Sequence, residues 1–364
     1  MRIGEITSYL ESIAPLEYQE GYDNSGLIVG RKDDEVSKVL VSLDCTEEVV
    51  QEAINKKCEL IIAHHPIVFG GLKKFNGTDY VQRTVMLAIK NDIGIYAIHT
   101  NLDNVLPGVN AEIARRLGLQ NVEILAPKKE LLSKLVTFVP NAHLEEVRSS
   151  LFEAGAGSIG GYSDCSFITD GEGTFKAGED AQPFVGEKGK LHREKESRLE
   201  LVVPRRHEGK IVQALLLSHP YEEVAYDLYP LRNANKEVGA GMVGDLENPT
   251  DAMTFLRDVK DKMKTPLIRH TRPTKEKVQR IAICGGAGSF LLPAAKGAKA
   301  DVFITGDYKY HQFFDAEDDL MIADIGHYEC EQFTKVLIKE LLMQNFAKFA
   351  VLLSEVNTNP INYL

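Results

Sequence analysis

A chain of 364 residues, 44% hydrophobic and 26% charged, has room for two globular domains and enough apolar content to fill their cores. Its net charge of −11 disfavours non-specific binding to nucleic acid or anionic lipid, both polyanions. Five cysteines, odd in number and never spaced as CxxC, argue against a disulfide framework and for reduced thiols in the cytoplasm.

The opening segment, Met1 to Pro15, has the pattern of an amphipathic helix and lacks the apolar core and cleavage site of a secretory signal. No apolar run approaches the roughly 20 residues that a bilayer span needs, so no membrane partner is expected. Lys38–Asp44 (KVLVSLD) reads as a strand, Glu47–Lys57 as a helix and Leu60–Ala63 (LIIA) as a strand. Tyr80–Asn91 is helical in pattern, Ile93–Ile98 strand-like, and Val109–Leu117 helical again. Strands alternating with helices of this length predict βαβ units around a parallel sheet. The same rhythm returns late. Arg280–Cys284, Asp301–Thr305, Met321–Ile325 and Lys348–Ser354 read as strands, with helices over Phe290–Ala298 and Glu329–Gln344.

The middle differs. Leu135–Val139 reads as a strand and Leu144–Glu153 as a helix, and a glycine-rich stretch from Gly155 to Lys190 suggests several hairpin turns. Arg198–Val203, Glu208–Ser218 and Glu223–Leu231 follow as strand, helix and strand. The order β-α-β-β-β-α-β predicts a ferredoxin-like α+β unit. The fold expected is therefore α/β: two β/α halves, 1–129 and 238–364, form one domain, and a ferredoxin-like α+β domain over 130–237 is inserted between them. The glycine-rich Gly239–Gly244 marks the rejoining point.

Metal-ligating side chains gather at predicted strand ends. Leu60–Ala63 runs into His64 and His65, Ile93–Ile98 into His99 and then Asp103, and Met321–Ile325 into His327 with Glu331 four residues on. In an open parallel sheet, ligands bind beyond the carboxyl ends of the strands, so these groups can converge. Adjacent His64 and His65 can serve one metal each, Asp103 can bridge the two, and His327 and Glu331 share a helix face. Mixed imidazole and carboxylate ligands suit zinc, manganese, iron, cobalt or nickel better than magnesium or calcium. His99 is read as the group that moves protons, or else as one that orients a neighbour.

Several other motifs carry a bland reading beside the functional one. Asp23-Asn24-Ser25-Gly26 either lines the site or forms a turn. Gly285-Gly286-Ala287-Gly288-Ser289 sits where a phosphate loop would, yet matches neither GxGxxG nor the P-loop, so a tight turn with positive φ is the alternative. Thr305-Gly306-Asp307 with His311 is a candidate for bracing a ligand or moving a proton, or for an exposed helix start. His219-Pro220-Tyr221-Glu222-Glu223 reads as a structural turn first and a ligand second.

In their order along the chain, His64-His65-Pro66, His99-Thr100-Asn101-Leu102-Asp103, Gly239–Gly244, Ile283–Gly288, Thr305-Gly306-Asp307 and Gly326-His327 with Glu331 resemble one family. It is that of the GTP cyclohydrolase I type 2 homologues, the YbgI/YqfO-like dimetal proteins. The resemblance covers the whole chain, and the middle is similar to the PII/CutA-like insert of the longer members. It implies two divalent metal ions per subunit, zinc foremost, with His64, His65, Asp103, His327 and Glu331 as ligands. It also implies a toroidal homohexamer. Members often carry Glu where this chain has Asp307, with a histidine pair beside it; here only His311 stands near. The activity expected is hydrolysis of a nucleotide-like or phosphorylated small molecule, and nucleic acid is not an expected partner. The alternative is a metal-binding or storage hexamer without turnover, its insert sensing a small ligand.

Overall fold

The structure is a computed structural model that describes residues 1–364. Two compact units emerge: Met1–Ala126 with Glu237–Leu364, and Pro127–Lys236.

In the first unit, short strands, fully buried at Leu60–Ala63 and Gly94–Ala97, alternate with amphipathic helices. Lys38–Ser42, Leu60–Ala63 and Gly94–Ala97 run parallel, with Val41 opposite Ile62 and Ala63 opposite Ala97. Gly26–Val29 adds an antiparallel edge beside Gly94–Ala97. The other edge is Ala350–Leu353, near the end of the chain, parallel to Lys38–Ser42. The helices Glu47–Lys56 and Tyr80–Lys90 cover one face of this sheet, packing Val49, Val50, Ala53, Val85 and Ala88 against Leu40, Ile61 and Ile95. A second sheet has six strands in the order Arg269–His270, Met321–Asp324, Val302–Gly306, Lys277–Ala287, Asn235–Asp251, Gln120–Lys128. Its central three are parallel and carry a core of Ala282, Phe303 and Ile322. Each sheet therefore takes an edge strand from the other sequence half, which locks the two halves into one body. The expected helix over Glu329–Gln344 is two helices, His327–Glu331 and Thr334–Asn345, broken at Gln332-Phe333. At the break the Gln332 amide donates to the Met263 carbonyl.

The second unit runs β-α-β-β-α-β, with all strand pairs antiparallel. The sheet order is Ser166–Lys176, Leu191–Pro204, Leu132–Pro140, Tyr226–Leu231. It has one strand fewer than the glycines suggested. Gly171 and Gly173 do not turn the chain; they lie inside the long hairpin, paired with Glu196 and Glu194. The helices Leu144–Ala154 and Glu208–Ser218 cover one sheet face, where Val147, Leu151, Ile211 and Leu215 meet Leu135, Val139, Leu199 and Leu201.

No helix is long and apolar enough to cross a membrane.

Candidate metal centre

Beyond Ala63 the chain keeps pairing for two more residues, as His64 N donates to Ser42 O and His65 N to Leu43 O. That fixes both histidines at the carboxyl end of a buried strand. The neighbouring strand Gly94–Ala97 delivers His99, which precedes the short helix Thr100–Asp103. One turn of that helix brings Asp103 back beside it, with Asp103 N donating to His99 O at 3.2 Å. From the second sheet, Met321–Asp324 leads through Gly326 into the helix that carries His327 and Glu331 on one face.

These side chains meet. The ligand atoms of His65, His327 and Glu331 form one close group and those of His64, Asp103 and Glu331 another, within 4.8 Å in each case. Glu331 is common to both: Oε2 lies 3.0 Å from His65 Nε2 and 3.2 Å from His327 Nε2, and Oε1 lies 3.8 Å from His64 Nε2. The sequence reading gave the bridging place to Asp103; the geometry gives the shared place to Glu331, and Asp103 stands on one side, its Oδ1 3.6 Å from His64 Nε2. His64, His65 and His99 form a third close group.

Each of the four imidazoles is held through Nδ1. His64 Nδ1 donates to the Ile98 carbonyl at 2.8 Å, His65 Nδ1 to Asp44 at 2.8 Å, His99 Nδ1 to Asp23 at 2.8 Å and His327 Nδ1 to Asp307 at 2.7 Å. Such partners fix the tautomer and leave Nε2 free for a metal, the usual outer support of a histidine ligand. Asp307 adopts a left-handed backbone, φ 58°, to reach His327. Asp23 accepts from His99, from the Thr100 amide at 3.0 Å and from Ser25 Oγ at 3.1 Å.

The residues fit a metal on a structural observation. His64 Nε2 and Asp103 Oδ1 are buried and have no hydrogen-bond partner. A lone orphan of this kind costs on the order of 1–3 kcal/mol, and two facing each other mark a place built for something else. Burial pushes His64 down to about 4, so it is a neutral imidazole with a free lone pair at neutral pH. Burial would also lower His65 and His327. The carboxylates outweigh it: Asp44 and Glu331 raise His65 to about 9, and Glu331 and Asp307 raise His327 to about 11. Burial drives Asp103 up and the charge of Glu331 adds to it. This is a cation-seeking cluster in which protons stand where a divalent ion would displace them.

The glycine loop serves the same centre. Gly286 has φ +59°, and a Cβ there would sit 2.7 Å from Glu331 Oε1 and 3.2 Å from His327 Cε1. The tight-turn reading of this loop therefore holds, and the turn exists to let backbone approach two candidate ligands. Thr305 Oγ1 braces it, accepting from Gly288 N and donating to Gly286 O. His311 lies apart, its ring stacked on Phe314. His219 is structural: Nε2 donates to Phe138 O and Nδ1 accepts from Tyr221 N.

The centre opens into a cavity of 690 Å³. Tyr22, Phe69, Tyr80 and Phe290 form its walls, each more than half exposed, and no lysine or arginine lines it. Sequence reasoning missed these rings, and it missed Asp44 and the Thr358 hydroxyl that donates to Asp44. Asp44 had the same signal as the histidines, a polar side chain just past a buried strand. The rings had none, because they come from four separate loops and helices.

With this geometry in hand, the chain can be set beside known proteins. The model of the family described as Duf34/NIF3 (NGG1p interacting factor 3) matches residues 1–360. A Bacillus subtilis relative, "GTP cyclohydrolase 1 type 2 homolog", is 40% identical over 99% of this chain and 98% of its own. A Bacillus cereus structure of a protein related to NIF3 superposes with TM-score 0.85 at 38% identity, covering 100% of this chain and 99% of the other. A Staphylococcus aureus structure follows at TM-score 0.81 and 31% identity, with 100% and 99% covered. The chain belongs to the Duf34/NIF3 family, among the relatives that carry the name GTP cyclohydrolase 1 type 2 homolog.

Proposed function

We propose that this protein binds two divalent metal ions and acts as a metal-dependent hydrolase on a substrate bearing a heteroaromatic ring. The observation that carries the reading is the pair of ligand groups sharing Glu331, with His64 Nε2 and Asp103 Oδ1 left without protein partners. His64, Asp103 and Glu331 Oε1 would hold one ion; His65, His327 and Glu331 Oε2 would hold the other. Zinc suits three imidazoles and two carboxylates best, with iron, manganese, cobalt or nickel as substitutes. Bound there, such ions supply Lewis acidity and a water acidic enough to ionise near neutral pH.

The protein's own groups do the rest. His99, held by Asp23 and 12% exposed, stands at the cavity edge where it can pass a proton to or from a ring nitrogen. The rings of Tyr22, Phe69, Tyr80 and Phe290 offer stacking surfaces for a flat substrate. No lysine or arginine lines the cavity, and the histidines there are engaged with carboxylates, so the lining favours the ring over a polyphosphate tail. The name of the Bacillus subtilis relative points to guanine-ring opening, in which water enters and C8 leaves as formate. The inserted unit is read as a ferredoxin-like, PII/CutA-like domain, which its β-α-β-β-α-β order supports. The assembly is read as the homohexamer that the family resemblance implies.

Metal per chain on protein purified without chelator, followed by formate release from GTP, tests the reading. Two ions with formate would establish a cyclohydrolase. Two ions without turnover would favour the second reading, a metal-storing or regulatory assembly, for which a separate cavity in the inserted unit speaks. An apo protein that takes up no zinc would refute both.

A further inference from the structure

The inserted unit has a cavity of its own, also 690 Å³, that the metal chemistry does not use. It lies over the sheet face that the two helices leave bare. Leu135, Val139, Ile168, Leu199 and Leu201 point toward the helices. Side chains alternate along a strand, so Phe138, Gly173, Phe175 and Glu196 point the other way, into the cavity. Phe184 and Tyr221 complete its walls, with ring centroids 6.3 Å apart, and Phe175 lies 6.1 Å from Tyr221.

Two features make this more than a gap. The first is a floor of glycine. Gly171 and Gly173 lie on one face of a strand interior, where glycine weakens a sheet and marks a close approach. A Cβ at Gly173 would collide with the Glu196 carboxylate, whereas a Cβ at Gly171 would meet only the Glu196 carbonyl at 3.8 Å. The second is Glu196 itself. It is 9% exposed, and its one hydrogen-bond partner is a neutral phenol, Tyr221 OH at 2.8 Å. No cation pairs with it. Arg198 is turned to Glu200 at 3.0 Å, and Arg193 to Glu172 at 2.6 Å. His219 nearby has both ring nitrogens engaged, and burial lowers its pKa, so it is neutral. A buried carboxylate without a counter-ion is costly, and a ligand that brings the positive charge relieves the cost.

We propose that this cavity binds a small organic cation, an amine whose ammonium meets Glu196 and whose apolar body lies among Phe175, Phe184 and Tyr221. Aromatic faces attract ammonium groups, most strongly where water is excluded. The rim agrees in sign: Asp170, Glu172, Glu222 and Glu223 outnumber Lys176 and Arg198.

Calorimetric titration of the full-length protein with tyramine tests this, with 4-hydroxyphenethyl alcohol as the neutral isostere and 4-hydroxyphenylacetate as the anionic one. Tyramine is expected to bind, the alcohol about tenfold or more weakly, and the acetate not at all. Glu196→Gln keeps the shape and the Tyr221 hydrogen bond, and should weaken tyramine about tenfold while sparing the alcohol. Phe184→Ala, at an exposed position that folding does not need, should weaken both. Absence of tyramine binding, equal binding of the alcohol, or affinity unchanged in Glu196→Gln overturns the proposal.

Discussion

The two cavities are equal in volume and opposite in construction. Around the candidate metal centre every imidazole has a second layer behind it: Ile98 O, Asp44, Asp23 and Asp307 each hold one. In the inserted unit one buried carboxylate is held by one phenol, among the rings of Phe138, Phe175 and Phe184 and under a charged rim. Both cavities use glycine to make room for a carboxylate, Gly286 for Glu331 and Gly173 for Glu196. If the two sites are as proposed, the lesson is that placing several ligand atoms around a small ion takes rigid outer support. The organic cation proposed for the other cavity is larger and softer, and would need only a shaped apolar wall and one charge.

The comparison breaks most sharply at Glu331. Because both ligand groups share it, Glu331→Ala should lose both ions, whereas His64→Ala should lose one, by elemental analysis of the purified proteins. Equal losses would show that the two groups are not separate sites. Asp307→Asn tests the outer support: it keeps the shape but no longer accepts as a carboxylate from His327 Nδ1. Metal affinity should fall about 10–100-fold in a chelator competition, and an unchanged affinity would mean that His327 needs no brace. Gly286→Ala adds strain of about 1–2 kcal/mol at positive φ and pushes Glu331 aside. Thermal stability should fall modestly, and affinity should fall less than in Asp307→Asn.

The smallest effect on metal affinity belongs to the scaffold, where carboxylates are already satisfied and a substitution acts on stability alone. Burial alone would raise the pKa of Asp301; Lys275 at 2.5 Å and the amides of Gln279 and Arg280 outweigh it and hold the pKa below the ordinary value. A depressed carboxylate stabilises the fold above its unfolded pKa, and that stability is lost as pH falls through the folded one. Asp301→Asn should therefore cost about 1–3 kcal/mol at neutral pH. The gap to wild type should close below about pH 4, as measured by urea unfolding across pH. A gap independent of pH would assign the loss to packing.

How much was legible follows from range. The buried strands declared themselves by composition, and the histidines by standing where those strands stop. Asp103 followed from its place just past a strand end, and Glu331 from its helical spacing to His327. Asp44 and Asp307 brace imidazoles 21 and 20 residues away along the chain. No local pattern encodes a pair that far apart, so Asp44 was missed and Asp307 was read only as one of several candidates for bracing a ligand or moving a proton. Gly171 and Gly173 misled, since a glycine that clears space inside a strand looks the same in sequence as a glycine that turns a hairpin.

The sequence by itself determined the α/β rhythm, the inserted middle and the side chains able to bind metal, because period, propensity and residue chemistry act over a few neighbours. Only the tertiary structure decided that each sheet completes itself with a strand from the other half. It alone made Glu331 the shared carboxylate, and it alone left the inserted sheet with one face bare. Those outcomes depend on which distant surfaces bury each other, and that choice belongs to the whole chain at once.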